Sequence, residues 1–230
     1  MTVDLSTIQV AVIGGGSVGT SLATQIHNSK KVASVVIAAR DPSKTRSQLD
    51  EKGMQYLKVV AVPDALKDAK VIILATPGIY DDAGIQAFVE STPLVGLKDK
   101  IVIDATNPLG PFAEGLNTRV MSGNGTSGAE QYQKCLPYCK VYKAFNTVGA
   151  EHMQQSLGKD MMFAGDPEEE SLAIAEGVVA ATGFKPFYVG PIRYARNLEA
   201  IAELYIHMAV PPLGARTTSR NFWFSISGDP

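Results

Sequence analysis

The sequence is short of cysteine, histidine, tryptophan and long apolar runs. Two cysteines, three histidines and one tryptophan occur in 230 residues. Cys135 and Cys139 are spaced C-x-x-x-C, not as the C-x-x-C of dithiol redox motifs, and are read as two separate thiols. So little cysteine excludes a disulfide framework and fits a reducing compartment. His27, His152 and His207 lack metal-ligand spacing, and no metal site is expected. The longest largely apolar stretch, VASVVIAA at 32–39, is too short to span a bilayer. The N-terminal MTVDLSTIQV lacks the basic-then-apolar pattern of a signal peptide. Lys and Arg number 21 against 23 Asp and Glu, so no basic excess points to nucleic acid or an anionic membrane. A cytoplasmic protein without nucleic-acid or membrane partners is expected.

Apolar residues are plentiful, at 45% of the chain, enough for one sizeable core. They fall in short runs alternating with helical spacing. IQVAVI (8–13), VASVVIA (32–38), YLKVVAV (56–62), VIILAT (71–76) and IVIDAT (101–106) read as buried strands. SVGTSLATQIHN, DPSKTRSQLDEKG, PDALKDA and YDDAGIQAFVE read as the helices between them. Strands apolar on both faces, alternating with helices, predict an α/β fold built on a doubly wound, Rossmann-type parallel sheet. The glycine-rich stretch 108–128 is read as a long loop before the strand CKVYKAF (139–145). A domain over 1–150 and a smaller C-terminal α/β lobe over 151–230 are expected. The lobe has strands MMFAG and FYVG, helices over 167–182 and 193–209, and an aromatic tail, RNFWF.

The first strand runs into Gly14-Gly15-Gly16-Ser17-Val18-Gly19, a G-x-G-x-x-G turn that opens an amphipathic helix. That context marks a dinucleotide site: glycines let the backbone turn and approach a pyrophosphate, and the helix N-terminus offers unpaired N–H groups. About 20 residues further on, NAD-selective sites place an acid for the adenosine ribose. Here Ala39 and Arg40 follow the second strand. Arg40 offers a planar fork of donors to a ribose phosphate, and Lys44 lies within reach on the next helix. Asp41-Pro42 reads as an N-cap followed by proline at the first helical position. NADP(H) is therefore expected over NAD(H).

VIGGGSVGTSLA, AARDPSK, IDATNP, VYKAFNTVGAEHM, MMFAGD and VGPIRYARNLEA, in this order over roughly 8–200, resemble the NADPH-dependent 8-hydroxy-5-deazaflavin reductases. They are also similar to the cytosolic oxidoreductase domain of the six-transmembrane metalloreductases. The resemblance implies a soluble enzyme moving hydride between NADP(H) and a flavin or deazaflavin acceptor. It implies pyrophosphate at Gly14–Gly19 and ribose phosphate at Arg40 and Lys44. Ala75, Thr76 and Pro77 would then line the nicotinamide ribose, and Asn107 and Ala144–Thr147, Asn146 among them, would border the ring. Serine often precedes the arginine in this family, where Ala39 stands. The deazaflavin reductases tend to have histidine where Asn146 stands, whereas the metalloreductase domains have asparagine. The metalloreductases carry haem in a membrane domain, and no comparable apolar segment occurs in these 230 residues. Two stacked rings need alignment more than an acid or base, so no catalytic dyad is named.

Tyr80, Thr147 and His152 are substrate-side candidates, Tyr80 because an aromatic ring there would stack on an acceptor. Arg193 and Arg196 share a helix face and would meet an acidic substrate tail or a glutamate such as Glu199. Phe222, Trp223 and Phe224 need cover from the body, a partner subunit or the acceptor site, and a homodimer is expected. Two other functions stay open: an NADPH-binding sensor without turnover, and an NADP-dependent dehydrogenase of a small carbonyl compound.

Overall fold

The computed structural model describes residues 3–110, 118–119, 125–209 and 221–227. Its strands are β1 (Gln9–Ile13), β2 (Ser34–Ala39), β3 (Lys58–Ala61), β4 (Val71–Leu74), β5 (Ile101–Asp104), β6 (Lys140–Lys143), β7 (Asp160–Gly165) and β8 (Lys185–Gly190). They form one sheet in the order β3-β2-β1-β4-β5-β6-β7-β8. β1 to β6 are parallel throughout, with Val10 opposite both Val35 and Val71. β7 runs antiparallel to β6 and parallel to β8. The expected doubly wound sheet is present, and the α/β portion after residue 150 extends that same sheet.

The helices are α1 (Ser17–Ser29), α2 (Pro42–Glu51), α3 (Val62–Asp68), α4 (Asp82–Ser91), α5 (Gly128–Cys135), α6 (Ala150–Met153), α7 (Glu169–Ala181) and α8 (Ala195–Ala209). Strand alternation divides the core between two faces. Val10, Val12, Ile37, Ile73 and Ile103 meet Leu22 and Ile26 of α1 and Ile174 and Val178 of α7. Ala11, Ile13, Val36, Ile72 and Val102 point the other way, to Leu66 of α3, Ile85 of α4 and Tyr132 of α5. This two-sided burial is why the strands lack polar alternation.

α5 lies between the expected loop over 108–128 and the strand at 139–145, where no helix is expected from the sequence. Ser127 accepts from the backbone N–H of Glu130, and Glu130 reaches back to Ser127 N. That capping box closes the N-terminus. Its S-x-x-E signature was present in the sequence, hidden behind the glycine-rich stretch. Residues 111–117 and 120–124 of the expected loop lie outside the described residues.

Candidate dinucleotide and hydride-transfer site

In the order β3-β2-β1-β4-β5 the chain reverses direction across the sheet between β1 and β4. Helices after β1 and β4 go to opposite faces there, leaving a crevice at the C-terminal strand ends. Gly14 occupies this point with φ +122°, and a Cβ on it would lie 2.4 Å from Ala75 O. A Cβ on Gly19 would lie 1.9 Å from Gly14 O, so α1 seats against the turn only with glycine there. In front of Gly16 nothing comes within 4 Å of a Cβ position. The space that glycine leaves is open.

α1 begins after Gly16 without a side-chain cap and without an acid in its first turn. Its first intrahelical bond runs from Thr20 N to Gly16 O, which leaves the N–H groups of Ser17, Val18 and Gly19 directed outward. By contrast, Asp41 caps α2 by accepting from Lys44 N at 2.9 Å, and Asp81 caps α4. Asp41 therefore does what its position before Pro42 predicts.

A cavity of about 850 Å³ lies before the turn, lined by Gly14–Gly16, Ala39, Arg40, Lys44, Thr45 and Ala75–Pro77. Arg40 and Lys44 are exposed at its rim. A smaller space of about 200 Å³ adjoins it between Arg40, Val62 and Thr92. Helix end, glycine turn and two cations thus share one crevice, sized and charged for a phosphorylated dinucleotide. NADP fits the residues present: the glycine cradle leaves open space where a pyrophosphate would lie, and the two cations at the rim would suit a ribose phosphate.

The remaining expected residues form a second group along the same strand edge. Asn107 follows β5 and Asn146 follows β6. Asn107 Nδ2 donates to Asn146 O at 3.1 Å, and Asn146 Nδ2 donates to Asn107 Oδ1 at 3.2 Å and to Leu198 O at 2.9 Å. Asn146 is buried, and its Oδ1 has no partner among the described residues. Phe145 beside it has φ +68°, uncommon for a residue with a side chain. Ala144 and Thr147, on either side of Phe145 and Asn146 in the chain, are buried. Tyr80 is half-buried with its ring against Gly110, and its carbonyl accepts from Arg119.

His152 is placed differently from the expectation of a substrate contact. It is buried on α6, with Trp223 edge-on at 5.6 Å and Lys159 Nζ 3.3 Å from Nδ1, and it does not line the large cavity. The tail packs on the body: Phe222 stacks with Tyr205 of α8 at 4.6 Å, and Lys159 Nζ lies 4.7 Å over the Trp223 ring. Arg196 pairs with Glu130, at 2.7 and 2.8 Å, and not with Glu199. Burial works against the Glu130 carboxylate, but Arg196 and Ser127 hold its pKa below the usual range.

Glu199 belongs to a group that no motif announced. Lys143 Nζ, fully buried at the end of β6, lies 2.7 Å from Asp104 Oδ2, 2.5 Å from Thr106 O and 3.0 Å from Glu199 Oε1. Asp104 and Glu199 are fully buried too. Asp104 Oδ1 accepts from Thr106 N at 2.9 Å, and both Glu199 oxygens accept from Gly128 N, at 3.0 and 3.2 Å. Burial disfavours the lysine's charge, but the two carboxylates outweigh it and raise its pKa. Burial likewise pushes Glu199 upward, against the pull of Lys143. Among the described residues no cluster of three metal-ligating side chains occurs, and no helix is long and apolar enough to cross a membrane.

Residues 9–108 match the family of NADP oxidoreductases, coenzyme F420-dependent. The chain is 26% identical to the F420-dependent NADP reductase of Methanocaldococcus jannaschii, over 88% of this chain and 93% of that protein. Both matches are to NADP-dependent oxidoreductases. It is also 28% identical to metalloreductase STEAP3 of Rattus norvegicus, over 84% of this chain, and there it spans only 36% of the relative's length. A crystal structure named for an F420-dependent NADP-reductase of Arthrobacter sp. FB24 superposes with a TM-score of 0.73 at 25% identity, covering 96% of this chain and all of that one. The resemblance carried by the glycine turn, AARDPSK and the Asn107 and Asn146 segments is thus borne out across most of the chain.

Proposed function

We propose that this oxidoreductase binds NADPH along the C-terminal strand edge and passes its hydride to a flavin or 8-hydroxy-5-deazaflavin acceptor. The observation that carries the reading is the uncapped, acid-free N-terminus of α1, opening on a crevice whose rim holds Arg40 and Lys44. The pyrophosphate would lie on the N–H groups of Ser17, Val18 and Gly19, and the ribose phosphate on the two cations. Thr76, whose hydroxyl is buried without a partner, would meet the nicotinamide ribose. Asn107 and Asn146 would border the ring, and Asn146 Oδ1 is free to accept from its carboxamide. The cofactor supplies the hydride; the chain's part is to hold the ring against the acceptor and keep water out. Tyr80 and Gly110 stand on the side where that acceptor would enter.

NADPH oxidation, offered FMN, FAD, 8-hydroxy-5-deazaflavin, ferric chelates and small carbonyl compounds in turn, tests this. Oxidation with a flavin-type ring is expected. Turnover with a carbonyl compound alone, or tight binding with no turnover by any acceptor, would overturn the acceptor assignment. A homodimer in the cytoplasm belongs to the same proposal. The outer edge of β8 and the exposed Phe187 and Leu204 offer a surface for pairing, and light scattering reads the outcome.

A further inference from the structure

Asp104, Lys143 and Glu199 place two acids and one cation in the protein interior, and hydrogen bonding assigns their charges. Each carboxylate accepts at both oxygens: Asp104 from Lys143 and Thr106 N, Glu199 from Lys143 and Gly128 N. A protonated carboxyl would need one of those oxygens as a donor, and each partner there is itself a donor. Lys143 is the cation paired with both acids among the described residues. Arg196 on α8 is matched by Glu130, so that nearby pair cancels. With both acids ionised, as these donors favour, the cluster carries one uncompensated negative charge, all three members being fully buried.

The charge is joined to the ring end of the site by short links. Asp104 stands three residues before Asn107, and Lys143 three before Asn146. Lys143 donates to Thr106 O, next to Asn107, and Asn146 donates to Leu198 O, next to Glu199. Asn146 Oδ1, buried and without a partner, is a second and independent sign that a polar ligand group belongs there. A nicotinamide ring is neutral when reduced and positively charged when oxidised. A buried charge with little water around it acts strongly on a neighbouring site.

We infer that the Asp104–Lys143–Glu199 cluster acts as a fixed negative charge behind the nicotinamide, holding NADP⁺ more tightly than NADPH and so making the bound reduced cofactor a stronger hydride donor. This rests on the NADP reading proposed above. The cluster acts through its field and touches neither ring. A ligand that discriminates between two states shifts their balance by its differential interaction alone, so the signature is a ratio of affinities.

The test is equilibrium binding of NADP⁺, NADPH and 2′,5′-ADP to the unmodified chain and to Glu199→Gln and Glu199→Asp. The unmodified chain should bind NADP⁺ more tightly than NADPH. Glu199→Gln, which keeps shape and removes the charge, should weaken NADP⁺ about tenfold and leave NADPH within about twofold. Glu199→Asp should restore the ratio, and 2′,5′-ADP, which has no nicotinamide, should bind all three chains alike. A ratio unchanged in Glu199→Gln, or equal losses for both forms, overturns the inference while leaving NADP binding intact. Tighter binding of NADPH than NADP⁺ by the unmodified chain overturns it without any variant. No binding of either form removes the NADP reading and the inference with it.

Discussion

At the scale of single residues, the proposed NADP preference turns on Arg40. It lines the crevice beside Lys44, and the nearest acid, Asp41, is committed to the Lys44 N–H. A charge-assisted hydrogen bond contributes roughly 1.5–3 kcal/mol net, which corresponds to about tenfold to a hundredfold in affinity. Arg40→Ala should therefore raise the dissociation constant for NADPH by that factor and leave that for NADH nearly unchanged. Parallel titrations of the two cofactors check it, and equal losses would show the guanidinium is not reading the phosphate. Glycines and Arg40 were legible in the sequence because their roles are local: a turn, a helix start, a strand end. Glu199 was not. Its partners come from β5, β6 and the start of α5, and no spacing along the chain brings Asp104, Lys143 and Glu199 together. Arg196, expected to meet an acidic substrate tail or a glutamate such as Glu199, pairs in the fold with Glu130 for the same reason.

At the scale of elements, α5 is held by its ends. It has eight residues, too few to be stable alone, and depends on its capping box and on Arg196 reaching across from α8. Ser127→Ala removes the acceptor for Glu130 N and should cost about 0.5–2 kcal/mol in denaturant unfolding. Its effect should exceed that of Ser6→Ala, whose hydroxyl donates only to exposed Asp4. Glu130 also sets a pH dependence. Its pKa is lowered in the fold, so its contribution is present above the unfolded carboxylate value and is lost as pH falls through the folded value. Thermal melts below neutral pH should fall less steeply for Glu130→Gln than for the unmodified chain; parallel curves would deny Glu130 this role. Long apolar strands and helices were readable from their periods, but α5 and α6 were not. Eight and four residues give too little period to separate a helix from a loop.

At the scale of the whole molecule, one sheet runs through the portions expected over 1–150 and 151–230. β7 and β8 continue the sheet from β6, and one apolar cluster contains Val10 and Ile26 together with Met161, Phe163, Ile174 and Phe184. α1 packs against both α6 and α7, and Gln25 Nε2 of α1 donates to Gln154 O at 2.9 Å. Removing residues after 150 would strip one face of α1, so neither half keeps its core without the other. Unfolding should accordingly be a single transition. Amide exchange in β1 and β4 and in β7 should lose protection at one denaturant concentration. Fluorescence of Trp223, the only tryptophan in the chain, should change with them, because its ring is seated on His152 and Lys159 beside β7. Protection lost in β7 well before β1 and β4 would mean that the second α/β portion folds as its own unit, and that the shared cluster does not couple them.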